Sequence, residues 1–294
     1  MKTFIRTSIV LAAGVAALAC SKTETSPPPA TEGTIRVKAE FPDYSGPGHA
    51  LKGETEVTDM QACIFEDGVM THIFKGLEPG NGTYDLQVGR LAGTLYLLAN
   101  TDGLVDLEGL KGEGITEDKW LGTAIGGKDG GPVHFFTGSV ALGDRPLADI
   151  PVSLKRGIAR FDLKIKTAGE ASVSRIALRN AAGTAYLFPG QQTLSPADAP
   201  REDIEASFGT PVTGDRDAVM YAYEQANQGI EIHVDAVIDG RPVSLKENLE
   251  GDIERNKIYT VTVRKDKIDV SLEVSFEDWE EGSDTELVPQ SEEI

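Results

Sequence analysis

A hydrophobic period of two runs through most of this chain and constrains its fold more than any other feature. Ile35, Val37, Ala39 and Phe41 alternate with Arg36, Lys38 and Glu40, and Ala159, Phe161, Leu163 and Ile165 alternate with Arg160, Asp162, Lys164 and Lys166. Ile268, Val270, Leu272, Val274 and Phe276 alternate in the same way with Asp269, Ser271, Glu273, Ser275 and Glu277. Residues 230–238 follow the pattern until Val237 breaks it. Successive side chains of a strand point to opposite faces, so this spacing predicts strands with one buried and one wet face. One-face burial is the habit of antiparallel sheets, because parallel strands covered on both sides read as unbroken apolar runs.

The turns agree with an all-β body. Asp67-Gly68 and Asp239-Gly240 each sit between two strand-like runs, and such dipeptides accept the positive φ of a two-residue hairpin. Asn81-Gly82 predicts a further tight turn, and residues 265–267 join two strands. Helical signals are short: 104–110, 116–121, and 200–206, where Pro200, Glu202 and Asp203 suit a helix start. The expected organisation is a leader over 1–19, a tether over 20–33, sandwiches over 34–154 and 155–276, and an acidic tail over 277–294. Two lobes of that size lie within the ordinary range for domains.

Charge and composition narrow the partners. The 294 residues hold 47 acids against 28 bases, a formal charge of −19, with no run of more than two consecutive Lys or Arg. A nucleic acid would be repelled by such a surface, so none is expected as a partner. With 40% hydrophobic residues the body has enough apolar surface to fold, and 32 Gly and 15 Pro supply many turns.

The first twenty residues read as an export signal. Lys2 and Arg6 precede an apolar stretch over 9–19 that is too short to cross a hydrocarbon core of roughly 30 Å as a helix. Ala17-Leu18-Ala19-Cys20 resembles the bacterial lipobox, with Leu and the small residue exchanged from their usual order. The resemblance implies diacylglycerol on the Cys20 sulfur. The only other cysteine is Cys63, in the run Ala62-Cys63-Ile64-Phe65, where it reads as a small buried hydrophobe. A Cys20–Cys63 bridge is open only to an unprocessed chain. Pro27-Pro28-Pro29 stands in a polar stretch with the composition of a stiff, solvated tether.

Catalytic patterns fail on spacing or context. Gly122 to Asp129 comes within one residue of a phosphate-binding loop, but Asp129 stands where a magnesium-holding hydroxyl is needed and would repel the phosphates. His49, His72, His134 and His233 are isolated in sequence, and no zinc, paired-cysteine or serine-nucleophile motif occurs. Carboxylates are abundant, yet abundance does not define a glycosidase pair. Trp120 and Trp279 read as buried anchors and not as sugar platforms. No catalytic residue, metal, cofactor or small-molecule substrate is expected.

Two stretches of the second half are similar to fimbrillin-type lipoproteins of Bacteroidia. One is Val152-Ser153-Leu154-Lys155-Arg156-Gly157-Ile158-Ala159-Arg160-Phe161-Asp162-Leu163; the other is Asn256-Lys257-Ile258-Tyr259-Thr260-Val261-Thr262-Val263 with residues 274–279 and Gly282. In the first half, residues 57–69 and Gly93-Thr94-Leu95-Tyr96-Leu97-Leu98-Ala99-Asn100 resemble two early strands of that family. The resemblance implies two transthyretin-like antiparallel β-sandwiches with a few short helices, lipoprotein export, and assembly with other fimbrial subunits into pili on the outer membrane.

The same resemblance implies growth by strand exchange, in which a protease cuts after an Arg, the first strand leaves, and a neighbour's strand fills the slot. Strand-exchange candidates are therefore Ile35, Val37, Ala39 and Phe41 on the receiving side, and Ile268, Val270, Leu272, Val274 and Phe276 on the donating side. Arg36 is the protease-site candidate, but it falls inside the first strand, and the next Arg is Arg90. That placement points to a subunit that keeps its lipid and first strand, an anchor or minor component. The alternative is a surface glycan-binding lipoprotein of a nutrient-uptake system, which predicts exposed aromatics clustered at one sandwich edge.

Overall fold

The computed structural model describes residues 33–41, 48–78, 83–88, 92–128, 130–143, 150–191, 193–265 and 270–278. The leader, nearly all of the tether, the Asn81-Gly82 turn, Trp279 and most of the acidic tail lie outside these. The described body is an all-β protein with two short helices.

The first half contains β1 (Gly33–Glu40), β2 (Met60–Glu66), β3 (Val69–Phe74), β4 (Thr83–Val88) and β5 (Thr94–Ala99). They are followed by α1 (Leu107–Gly112), α2 (Glu117–Leu121), β6 (Ala124–Gly126), β7 (Phe136–Ala141), β8 (Ile150–Ser153) and β9 (Lys155–Arg156). Its sandwich faces a three-stranded sheet, β4-β1-β8, against a five-stranded one, β3-β2-β5-β7-β9. Ile35 and Val37 from one sheet meet Met60, Ile64, Leu95 and Leu97 from the other in a continuous core.

The second half contains β10 (Ile158–Thr167), β11 (Ala171–Ala182), β12 (Thr184–Tyr186), β13 (Arg201–Val212), β14 (Arg216–Tyr223), β15 (Glu231–Ile238), β16 (Arg241–Asn248), β17 (Lys257–Lys265) and β18 (Val270–Asp278). Two four-stranded sheets, β14-β10-β17-β18 and β13-β11-β15-β16, enclose a core that includes Phe161, Leu163, Ile176, Tyr259 and Val261. Phe161 and Tyr259 stack at 5.1 Å in its middle.

Local chemistry explains the turns. Asp67 and Gly68 have φ of 50° and 77°, and Asp239 and Gly240 have 49° and 75°, the left-handed pair that a tight hairpin needs. The helices at 107–112 and 117–121 fall within or beside the stretches read as helical, and the Asp106 side chain caps the first by accepting from the Gly109 N–H at 3.1 Å.

Two expectations change. Residues 201–206 are the start of β13 and not a helix: Ile204, Ala206 and Phe208 pack on the core at period two, and pairing with β11 overrides the Pro200 and acidic signals. The sheets also contain two parallel pairs, β1 with β8 and β10 with β17, among otherwise antiparallel neighbours. β10 keeps an alternating sequence despite its parallel neighbour because its second face is covered by polar groups: Arg160 and Asp162 are buried there.

A third apolar cluster lies where the two halves meet. Trp120 is fully buried, stacks on Phe65 at 5.9 Å and meets Phe188 at 5.3 Å, while Tyr96 meets Phe188 at 5.0 Å. β6 from the first half pairs antiparallel with β12 from the second, so one small sheet bridges them. The Tyr223 hydroxyl accepts from the Val133 N–H at 2.9 Å and donates to the Gly126 carbonyl at 3.0 Å. The Arg255 guanidinium donates to the carbonyls of Tyr186 and Leu187 and to Glu224, satisfying groups that the cluster buries. Cys63 sits in the same cluster as a buried free thiol, its pKa pushed well up by burial.

Gly157 stands at the crossing between β9 and β10, where a Cβ would lie 1.8 Å from the buried Phe135 ring. Gly157→Ala should lower stability by about 1–3 kcal/mol, the usual cost of overpacking, and weaken the aromatic near-ultraviolet dichroism. Gly209→Ala, with open space around it, should leave both unchanged. Urea unfolding followed by circular dichroism checks the pair.

Candidate strand-exchange site

β1 is the structural heart of the site because it is the middle strand of its sheet. Gly33 through Lys38 pair antiparallel with β4, from Gly33 opposite Val88 to Lys38 opposite Thr83. Val37 through Glu40 pair parallel with β8, from Val37 opposite Ile150 to Glu40 opposite Ser153. The Leu154 N–H then donates to the Glu40 carbonyl at 2.8 Å. Val37 and Lys38 are thus bonded on both sides.

The side chains follow the same division of faces. Ile35 and Val37 are 0% exposed in the sandwich core. Ala39 and Phe41 are partly buried against it, the Phe41 ring meeting Phe136 edge-on at 5.1 Å. Withdrawal of this strand would leave a slot one strand wide, lined by Tyr84, Leu86 and Val88 on one flank and Ile150, Val152 and Leu154 on the other. Such a slot combines unpaired backbone groups with apolar walls, and an extended apolar segment satisfies both at once.

Arg36 lies on the opposite, wet face of β1. It holds Asp85 through two bonds of 2.8 and 3.2 Å, with both side chains about half exposed at 52% and 50%. The Arg36 hydrogen bond draws the Asp85 carboxyl below the usual carboxylate range. Cys20 and Ile268 lie outside the described residues.

The other donor candidates lie on β18, which pairs antiparallel with β17 from Lys257 opposite Asp278 to Lys265 opposite Val270. Leu272 and Val274 are buried in the second core, and the backbone of Phe276 pairs with Tyr259. Among the described residues β18 is an edge strand, paired with β17 on one side, and it closes its own sandwich. β1 and β18 belong to different sandwiches, and the structure does not bring the two candidate sets together.

Sequence reading missed a buried ionic cluster just beyond β1. Glu54, 3% exposed, lies in the connection to β2 and accepts from Arg160 Nη1 of β10 at 3.0 and 3.3 Å. Arg160, 2% exposed, also forks onto Asp162 at 2.9 and 3.0 Å and donates to the His49 carbonyl at 3.0 Å. Tyr221 Oη donates to Glu54 at 2.8 Å, Arg156 Nε donates to the Glu54 carbonyl at 3.1 Å, and Arg156 Nη1 donates to Asn256 at 3.2 Å.

Burial opposes the Arg160 cation, yet the bonds and charges of Asp162 and Glu54 outweigh it and raise its pKa. Burial pushes the neighbouring His134 down and Tyr221 up, the latter reinforced by the Glu54 charge. The sole local signal was Arg160 and Asp162 at strand spacing, which reads as a wet face until a segment more than one hundred residues away covers it.

No family model matches the chain, and no curated protein matches it. Solved structures do. A fimbrial assembly protein of Parabacteroides distasonis aligns with a TM-score of 0.59 at 14% identity, over 87% of this chain and 98% of the other. The C-terminally truncated tip fimbrial protein Mfa3 of Porphyromonas gingivalis aligns with a TM-score of 0.58 at 14% identity, over 84% and 100%. A candidate polysaccharide-binding protein of Bacteroides thetaiotaomicron aligns with a TM-score of 0.50 at 12% identity, over 84% and 96%. At these identities the likeness is one of fold: the chain shares the double β-sandwich of fimbrial and related surface proteins of Bacteroidia.

The two faces of β1 should respond differently to substitution. Val37→Asp places an unpaired carboxylate in the core and should cost several kcal/mol, about 3–5, unfolding the first sandwich. Arg36→Ala removes an exposed pair with Asp85 and should leave the unfolding midpoint where it is. Urea titration and limited proteolysis of both variants check the assignment.

Proposed function

We propose that this chain is a lipid-anchored fimbrial subunit of the outer membrane, an anchor or minor component, that joins sister subunits by β-strand complementation. The observation that carries this reading is the position of β1: a core-forming strand in the middle of its sheet, whose seat is the kind of slot one extended segment can leave and another fill. Its shared fold with fimbrial proteins supports the same reading. The role is structural and not enzymatic, and its partners are other fimbrial subunits and the membrane.

The strand directions suit an anchor. β8, β9 and β10 follow one another with single-residue breaks, and β1 runs parallel to β8, so the end of β1 lies beside the crossing into the second sandwich. Its start, Gly33, lies about 23 Å back along an eight-residue strand. Gly33 therefore stands at the end of the first sandwich away from that crossing, while β18 belongs to the second sandwich.

The glycan-binding alternative predicts an exposed aromatic platform. Among the described residues the exposed large hydrophobics are Val69 and Val237, and neither carries a ring. Fimbrial assembly is therefore the reading better supported.

Mass spectrometry of the protein from outer membranes is the direct test. The expected species begins at a diacylated Cys20; a chain lacking residues 20–36 would overturn the anchor role and favour a stalk. Cys20→Ala should move the protein from the membrane to the soluble fraction with its unfolding midpoint unchanged, because one modified residue outside the body contributes to neither core. Fractionation and immunoblotting check this.

A further inference from the structure

β1 and β8 run in the same direction, yet the chain enters the one and leaves the other at opposite ends. It reaches β1 at Gly33 and leaves β8 at Ser153, from which Leu154, β9 and Gly157 lead into β10 of the second sandwich. Tension between a point before Gly33 and a point in the second sandwich therefore draws the start of β1 one way and the end of β8 the other. Two parallel strands drawn from opposite ends are loaded along their common axis, which is shear.

Shear is the strong direction of a strand pair. Sliding displaces every donor from its acceptor by the same distance, so the evenly spaced bonds of a parallel ladder must fail together, whereas peeling breaks a ladder one bond at a time. β1 meets such a load on two ladders, Gly33 to Lys38 against β4 and Val37 to Glu40 against β8, with the Leu154 N–H on the Glu40 carbonyl at 2.8 Å. The side chains add to the resistance. A slip of one residue would turn Ile35 and Val37, both 0% exposed, out of the core and drive Arg36 and Lys38 into it. The same movement would pull Phe41 from its edge-on contact with Phe136.

The second sandwich repeats the arrangement. β10 receives the chain at its start and pairs parallel with β17, from Arg160 opposite Ile258 to Thr167 opposite Lys265. A load taken off at the end of β17 is again borne in shear.

We infer that the parallel β1–β8 pair is a mechanical clamp, which carries tension from the membrane tether into the second sandwich without opening the first. The use of the clamp rests on the reading of the chain as a lipid-anchored subunit; its strength is a property of the isolated chain. The clamp works only while β1 keeps its seat, which is also what the anchor role requires.

Single-molecule pulling on the purified, unlipidated chain tests it, with Cys20 as one handle and a cysteine introduced at an exposed position as the other. Cys63 is 0% exposed and stays unlabelled in the folded chain. Ser153→Cys sets the second handle at the end of β8, the shear geometry. Gln87→Cys sets it on β4 opposite Thr34, so that the same pull on β1 unzips the antiparallel β1–β4 pair from one end.

Forced unfolding follows the unfolding barrier along the direction of pull, and at equal loading rate the force between positions 20 and 153 should be at least about twice that between 20 and 87. A smaller ratio would overturn the clamp. If Ser153→Cys lowers the unfolding midpoint, Lys155→Cys, exposed on β9, carries the shear measurement. A ratio of that size in a protein that fractionates away from membranes upholds the clamp and overturns the anchor, so the two fail separately.

Discussion

A strand's backbone donors and acceptors must be paired on both sides or left to water, and the first sandwich meets that requirement by standing β1 between β4 and β8. The consequence is an all-or-none slot. With the strand present, the sheet is continuous and Ile35 and Val37 close the core; without it, two edges and an apolar trench are exposed together. β18 faces a milder version of the same problem. As the edge strand among the described residues it fills one flank of its own sandwich with Leu272 and Val274 and pairs on one side with β17.

The two sandwiches are joined by three kinds of contact that support one another. Trp120, Phe65 and Phe188 supply apolar area, the β6–β12 pair supplies backbone bonds, and the Glu54–Arg160–Asp162 cluster supplies buried charge with nearly every polar atom engaged. A buried ion pair stabilises little when compared with a well-packed apolar substitute, but breaking it leaves an uncompensated charge. Its value here is positional. Arg160 can satisfy Glu54 and Asp162 together only if the connection after β1 lies across β10, and this sets the register of one sandwich against the other.

Much of the strand pattern was legible from alternation alone, because burial of one face forces period two regardless of which strand lies alongside. The Asp-Gly hairpins were legible for an equally local reason, the tolerance of those residues for positive φ. Residues 201–206 were misread because Pro200, Glu202 and Asp203 are genuine helix-start signals. Pairing of the twelve-residue β13 with β11, with Arg179 donating to Asp203 at 2.7 Å, outweighs them. Parallel pairing of β1 with β8 was invisible, since the partners lie far apart in the chain and no hairpin announces them. At the site, the inward faces of Ile35 and Val37 and the outward face of Arg36 could be read directly; the Glu54 fastening could not, because an Arg–x–Asp pair in a strand looks the same whether water or a distant loop covers it.

By itself, then, the sequence determined which side chains of its alternating strands face inward, where the chain turns, and that the chain is an acidic, cysteine-poor β-protein. Those properties depend on neighbours within a few residues. The tertiary structure alone decided that β1 is a middle strand, that β18 sits on β17 of its own chain, and that Arg160 and Asp162 lie in the dry interior. The physical reason is that hydrogen-bond partners across a sheet and the cover over its outer face come from residues remote in sequence, and no local period records who they are.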